Sequence, residues 1–219
     1  MKKVIILGAG KPLSGFSPTI FFKQNKFFNN FEVIKNIFLK YTKNITLVTG
    51  FDYKKIKKNI KTKIVYNSKW SKTKSLYSLL CNDFEKADEI IIVYSDIIFN
   101  ENILNKLIKS KKEISIVISS KDIKYKKGKE YLNIKKQKIS NVGSNLKKND
   151  VNAEFIGLVK IKKDAINFLE SIKKDKKNFE KFQISDLIKI LLKNNFDCKL
   201  IDIKNDWVEI NNNHNKLRK

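Results

Sequence analysis

The sequence predicts an α/β fold, a single Rossmann-like and mostly parallel sheet with helices on both faces and a small antiparallel excursion. Three observations carry that expectation. Short apolar runs recur along the 219 residues with helical patterns between several of them, the signature of strand–helix–strand units. The first run, Val4-Ile5-Ile6-Leu7, stops at Gly8-Ala9-Gly10-Lys11-Pro12, where missing side chains and a fixed proline φ break regular structure. The stretch from Lys121 to Asp150 is instead polar with short alternating runs, which suits an antiparallel lid above the sheet.

The strand expectations, in order, are Val4–Leu7, Ile45–Thr49, Thr62–Tyr66, Glu89–Tyr94, Ile114–Ser119, Ala153–Ile161 and Cys198–Ile203. Between the first two, Phe31, Ile34, Phe38 and Tyr41 recur at the spacing of one helix face. Ser75, Leu76, Leu79, Leu80 and Phe84 give a second helical stripe that meets a polar stop at Lys86-Ala87-Asp88. A helix is expected at Glu101–Lys109, another at Lys163–Lys173 and another at Ser185–Lys193, with Ser185 as its N-cap and Asp186 favouring the positive helix start. The chain reads as one domain over 1–219, with the excursion or lid within 111–150 and an Asn-rich tail at 211–219 that is expected to fray.

A content of 42% hydrophobic residues is ordinary for a soluble domain, and no apolar run approaches the roughly 18 residues of a membrane span. No targeting pattern opens the chain, so a cytoplasmic location is expected. Cys81 and Cys198 lie far apart in apolar segments without metal-ligand spacing and read as reduced core residues. The formal net charge of +25 could signal nucleic acid, yet Arg218 is the one arginine among 47 basic residues, whereas phosphate and base-edge readers lean on arginine. The lysines are also spread along the whole chain. A solvated lysine surface that helps draw in a polyanionic small substrate is therefore expected, not a nucleic-acid partner.

Chemistry can be placed at two points. The glycine loop behind the first strand lets backbone N–H groups approach an anion, and a helix start behind it would add partial positive charge. In Tyr94-Ser95-Asp96 a carboxylate follows an apolar strand, at the edge where open α/β sheets bind ligands. Asp96 is thus either a magnesium ligand or a cap of the helix at Glu101–Lys109. Glu209, in the β-prone Asp206-Trp207-Val208-Glu209, could come alongside Asp96 and share a cation, or could be an exposed turn charge.

Taken in order, "VIILGAG", "YNSKWSKTKSLYSL", "IIIVYSDIIF", "AEFIGLVKI", "QISDLIKILL" and "DWVEINN" resemble the nucleotidylyltransferases that activate sugar phosphates, phosphocholine and aminoethylphosphonate. The individual motifs are short; their order across nearly the whole chain is what is specific. The asparagine and aromatic ahead of the "YSL" helix are most similar to the cytidylyltransferases for phosphocholine and related phospho- or phosphono-substrates. The resemblance implies a nucleoside triphosphate, CTP foremost, bound by Leu7, Gly8, Ala9, Gly10, Lys11, Ser75 and Ser95. It implies Mg²⁺ on Asp96 and Glu209, with Asn211 offering a carbonyl where the family ends its motif in a second carboxylate. It also implies an acceptor site on Asn67, Trp70, Tyr77, Glu154, Gly157 and Asp186, while Trp70 could equally be a packing residue, Glu154 and Gly157 a solvated charge and a packing glycine on a strand, and Asp186 a helix-start residue first.

One departure is clear. The family's lysine after a proline is replaced by Thr19 in Ser17-Pro18-Thr19, so Lys11 or Lys23 is expected to supply the catalytic charge, with Lys69 or Lys74 as further candidates. The implied reaction is transfer of a nucleoside monophosphate to a small phosphate or phosphonate acceptor, for decoration of a surface glycan or lipid. Sugar 1-phosphate transfer is the neighbouring reading. A nucleotide-binding homologue without turnover and a basic nucleic-acid-binding module are the readings from other classes.

Overall fold

The computed structural model describes residues 1–12, 17–24, 26, 28–204 and 206–210. Among them the apolar runs form a nine-stranded sheet. Its strands are β1 (Lys2–Gly8), β2 (Ile45–Thr49), β3 (Lys63–Tyr66), β4 (Glu89–Tyr94), β6 (Ile114–Ser119), β9 (Ala153–Lys162) and β10 (Cys198–Asp202), in the order β10-β6-β9-β4-β1-β2-β3. A hairpin of β7 (Tyr131–Lys135) and β8 (Lys138–Gly143) attaches through β7 to the start of β9. A separate antiparallel pair joins β5 (Ile97–Phe99) to β11 (Trp207–Glu209).

Pairing is parallel between β1 and β2, β2 and β3, β1 and β4, and β6 and β10. Along that path β9 breaks the pattern, running antiparallel to both β4 and β6. Its direction has a functional consequence: the first residues of β9 arrive at the edge where β1, β2 and β4 end. That is the edge at which a parallel sheet binds ligands.

Strand alternation sends side chains to two cores. Ile5, Leu7, Ile90, Ile92 and Val48 pack under α3 (Ser75–Leu80), α5 (Lys163–Lys173) and α6 (Ile184–Lys193). Val4, Ile6, Ile91, Val93 and Leu47 pack under α1 (Asn30–Leu39), α2 (Tyr53–Asn59) and α4 (Glu101–Ile108). Strands buried on both faces read as continuous apolar runs, which is why these were visible in the sequence. Phe31, Ile34 and Phe38 form the buried stripe of α1, and its Asn29–Glu32 capping box meets two of the amide groups left free at a helix start. No helix among the described residues is long and apolar enough to cross a membrane.

Several local expectations are corrected. α3 ends at Leu80; Phe84 is buried but reaches the core from the turn beyond the helix. Ser185 does not cap α6. It lies inside the first turn, and the Asp186 carboxylate instead accepts from the Gln183 N–H at 2.7 Å. No α-helix follows the glycine loop directly among the described residues: the next element is a three-residue 3-10 turn at Thr19–Phe21. Asn211 and the rest of 211–219 lie outside the described residues.

Lys160 shows how tightly the layers are tied. It lies on β9 with a fully buried side chain, donates to the carbonyls of Ile108 at 3.1 Å and Ser110 at 2.7 Å, and pairs with Glu89 at 3.2 Å. An ammonium at the end of α4 answers the partial negative charge of that terminus. Burial lowers its pKa, partly countered by Glu89. Lys160→Met should lower the free energy of unfolding by about 2–3 kcal/mol, because two buried carbonyls lose their donor and a carboxylate its partner. Urea denaturation of the two proteins measures the difference.

Candidate active site

Four elements converge at the carboxyl edge of β4. β4 ends at Tyr94, the chain turns through Ser95 and Asp96, and β5 leaves for the partner that carries Glu209. The Ser95 N–H donates to the Leu7 carbonyl at 3.0 Å, and its own carbonyl accepts from the Asn30 side chain, a fully buried residue of α1. The turn that presents Asp96 is therefore braced by β1 and α1 together. Asp96 does not cap α4, since the Asn100 side chain accepts from the Asn102 N–H at 2.9 Å instead.

β11 lies along β5 with Glu209 opposite Ile97, and the Ile210 N–H donates to the Asp96 carbonyl at 2.7 Å. Two carboxylates 113 positions apart in the chain thereby reach one pocket. It has a volume of about 150 Å³, and Tyr94, Asp96, Glu130, Glu154, Trp207 and Glu209 are among the residues that line it. Burial first, and the Glu209 charge second, push the Asp96 carboxyl up to about 6. Among the described residues no group of three or more His, Cys, Asp or Glu has the spacing of a metal centre.

On the β9 side, Glu154 is almost fully buried and accepts from the Lys129 ammonium at 2.6 Å. The same ammonium lies 2.6 Å from a Glu209 oxygen and 5.8 Å from the Trp207 ring centre. Burial pulls the Lys129 pKa down, and the bonds to Glu154 and Glu209 more than reverse this, leaving it raised. The next residue, Glu130, is buried too, and its carboxylate accepts from the Tyr94 hydroxyl at 2.6 Å and the Ser185 N–H at 2.8 Å. Burial raises the pKa of Glu130, and burial with the nearby Glu130 charge raises that of Tyr94. The Tyr94 hydroxyl also lies 3.1 Å from the Ser75 oxygen, which accepts from the Ile184 N–H at 3.0 Å. α3, β4, the loop before β7 and the start of α6 are thus joined by one buried chain of hydrogen bonds. Polar groups so buried are costly unless every partner is in place.

Gly157 sits on the far side of the Tyr94 ring. Its φ is +85°, which L side chains rarely adopt, and a Cβ there would run into the ring. The register slips between Ile116 and Ile118 of β6 at this point, so β9 bulges around Tyr94. Gly157 packs against the site's frame.

The remaining sequence candidates are distributed as follows. Leu7 and Gly8 end β1, and a Cβ at Gly8 would lie 3.1 Å from the Ser95 oxygen. The Ala9 carbonyl accepts from the Phe51 N–H at 2.9 Å, Gly10 has open space around it, and the exposed Lys11 rests its ammonium 5.8 Å from the Phe51 ring centre. Thr19 is 3.2 Å from Ser95, hydroxyl to hydroxyl. Lys23 is exposed beyond it. Asn67 is committed to its own turn, donating to Thr73 at 3.0 Å and Ser78 at 2.9 Å and accepting from the Lys69 N–H. Trp70 packs on Gly50 and meets Phe51 edge-on at 5.5 Å, Tyr77 is buried in α3, and Asp186 caps α6. Of the acceptor candidates, only Glu154 lines the pocket that holds Asp96.

Sequence reasoning passed over Lys129, Glu130, Tyr94 and Asn30. The first two are adjacent charges inside a lysine-rich polar stretch, where nothing in the local pattern separates them from solvated neighbours. Gly128, with φ of +90°, was the sole local signal of a turn that aims them.

No protein-family model matches the chain. A curated relative, the CTP:phosphoglutamine cytidylyltransferase of Campylobacter jejuni, is 28% identical over 167 aligned positions, covering 66% of this chain and 66% of that protein. The match thus spans a little under two thirds of the relative's length. Among solved structures, the inositol-1-phosphate CTP transferase of T. maritima superposes with a TM-score of 0.74 at 17% identity, over 96% of this chain and 89% of that one. The CTP:phosphocholine cytidylyltransferase of Streptococcus pneumoniae gives a TM-score of 0.71 at 17% identity, over 96% of this chain and 93% of that one. The Rossmann-like α/β fold of nucleotidylyltransferases is the fold of this chain, and its sequence resembles theirs.

Tyr94→Phe should cost about 1–3 kcal/mol of stability, since it strips a buried Glu130 oxygen of its donor. Gly157→Ala should cost at least as much through strain and the collision with Tyr94. Thermal and urea unfolding of both variants test this, and near-wild-type stability in Gly157→Ala would show that the ring can move aside.

Proposed function

We propose that the chain is a cytidylyltransferase that moves CMP from CTP onto a small phosphate- or phosphonate-bearing acceptor and releases pyrophosphate. The observation that carries the reading is the meeting of Asp96 and Glu209 at the carboxyl edge of β4, within a chain of nucleotidylyltransferase fold. The cytidylyltransferase relative supports the choice of CTP.

The acidic pair suits Mg²⁺, which takes oxygen ligands and commonly uses one or two carboxylates alongside substrate phosphates. A carboxyl pushed up to about 6 by burial and a neighbouring anion is strained as an anion, and a divalent cation would relieve that strain. When bound, the ion neutralises phosphate oxygens of the nucleotide. The other duties fall to the chain. Gly8, Ala9, Gly10 and Lys11 offer backbone N–H groups to the triphosphate from the end of β1, and Ser75 and Ser95 brace α3 and the Asp96 turn on either side. Lys11 sits in this loop and is the stronger of the two sequence-chosen lysines, Lys23 lying farther along.

An oxygen of the acceptor phosphate attacks the α-phosphorus of CTP. The bond from that phosphorus to the bridging oxygen breaks, and pyrophosphate departs with the electron pair. Little covalent work is asked of the protein in such a transfer, so alignment and charge neutralisation carry the rate. The compact pocket beside Asp96, lined with carboxylates and Trp207, matches a small acceptor. An activated product of this kind serves the decoration of a surface glycan or lipid.

Pyrophosphate release should appear with Mg²⁺ and CTP for one member of a panel of phosphoglutamine, phosphocholine, aminoethylphosphonate, inositol 1-phosphate and common sugar 1-phosphates. Asp96→Asn should reduce it by about 10²-fold or more, and chelation of the metal should abolish it. Release with a sugar 1-phosphate alone would move the assignment to the sugar class. Silence across the panel with CTP binding intact would leave a nucleotide-binding homologue without turnover.

A further inference from the structure

We propose that Lys129 is the cation that receives the acceptor's phosphate, and so a residue that determines acceptor class; this rests on the reading of the chain as a nucleotidylyltransferase. The pocket beside Asp96 is lined by four carboxyl groups, those of Asp96, Glu130, Glu154 and Glu209, and by one basic side chain, that of Lys129. Without a positive charge such a pocket repels any phosphate. The other lysines named above do not line this pocket. The family's position holds Thr19, turned to Ser95. Lys11 rests on Phe51, Lys69 is paired with Glu180 at 2.8 Å, and Lys160 is locked between α4 and Glu89.

Lys129 is both held and available. Glu130 fastens the loop to Tyr94 and to the first turn of α6, and the Phe155 N–H donates to the Glu130 carbonyl at 2.9 Å. Its neighbour's ammonium is thereby delivered to the pocket with little rotamer freedom, 25% of the side chain remaining exposed. An ammonium has three N–H donors. Glu154 and Glu209 take two, and one remains for a ligand oxygen. When Glu209 serves a metal ion, Glu154 still anchors the ammonium and a second donor is released. The attacking phosphate, the Asp96–Glu209 pair and Lys129 then share one pocket, and the charge that the acceptor brings is met by a residue from the loop before β7. The same arrangement disfavours acceptors whose cationic end would need Glu154, because that carboxylate is already occupied.

The test uses inorganic phosphate as the probe, followed by phosphorus NMR line broadening with Mg²⁺ present, on the full chain and on Lys129→Met and Lys129→Arg. CTP affinity and the thermal midpoint of each protein are measured alongside. Phosphate affinity should fall about tenfold or more in the Met variant and return in part with Arg, while CTP affinity stays within about threefold. With turnover in hand, the Met variant should raise KM for the acceptor about tenfold or more with KM for CTP nearly unchanged, a split that a merely structural lysine would not produce. Phosphate binding that survives in Lys129→Met, or no measurable phosphate binding by the wild type, overturns the proposal. Equal loss of CTP and phosphate affinity also overturns it, making Lys129 a structural counter-ion. Should the Met variant fail to fold, Lys129→Gln, which keeps two N–H donors without the charge, replaces it under the same criteria. Phosphate binding that depends on Lys129 in a wild type without affinity for CTP would sink the cytidylyltransferase reading and leave the anion site standing.

Discussion

The partly buried carboxyl of Asp96, pushed up to about 6 by desolvation and the Glu209 charge, is the constraint around which this end of the molecule is organised. An ionised carboxylate taken out of water is unfavourable unless cations or hydrogen-bond donors surround it. Its position is nonetheless fixed from three sides, by β1 through the Ser95 N–H, by α1 through Asn30, and by β11 through Ile210. Glu209 and Glu154 add further negative charge, which Lys129 partly neutralises. The pocket thus carries more carboxyl groups than ammonium groups.

Around that site the buried polar chain of Ser75, Tyr94, Glu130 and Ser185 has a different role. It lets elements from distant parts of the sequence hold a common geometry through directional bonds, where apolar contacts would allow sliding. Tyr94 carries the most of it, since its hydroxyl meets Glu130 and Ser75 and its ring fills the space that Gly157 leaves on β9. The bulge at Gly157 and the approach of Glu154 to the pocket are thus linked. A side chain at 157 would displace the ring and, with it, the loop that carries Lys129.

Much of the architecture was legible because strands buried on both faces are apolar at most positions. β2, β4 and β6 matched their expected bounds for that reason, and α1 and α5 declared themselves through their periodic apolar faces. Boundaries set by capping were less visible. Ser185 looked like a cap by residue type, yet the chain turns two residues earlier, at Gln183, because Asp186 reaches back to that amide. Asp96 was legible as a carboxylate at a strand end. Glu209 was legible only as a candidate, since nothing in the residues around it indicates that β11 pairs with β5.

By itself the sequence determined the α/β class, the order of the main strands along the chain, the glycine turn behind β1, and the placing of Asp96 at the end of β4. Each of these follows from local periodicity or from backbone preferences that act over a few residues. Tertiary structure alone decided that β9 runs antiparallel between β4 and β6, that Glu209 returns to Asp96, and that Lys129 enters the pocket. Those outcomes depend on partners far apart in the chain. Whether a lysine is a solvated surface charge or the cation of a pocket is settled by what packs around it, and in a chain so rich in lysine the residue type carries almost no information.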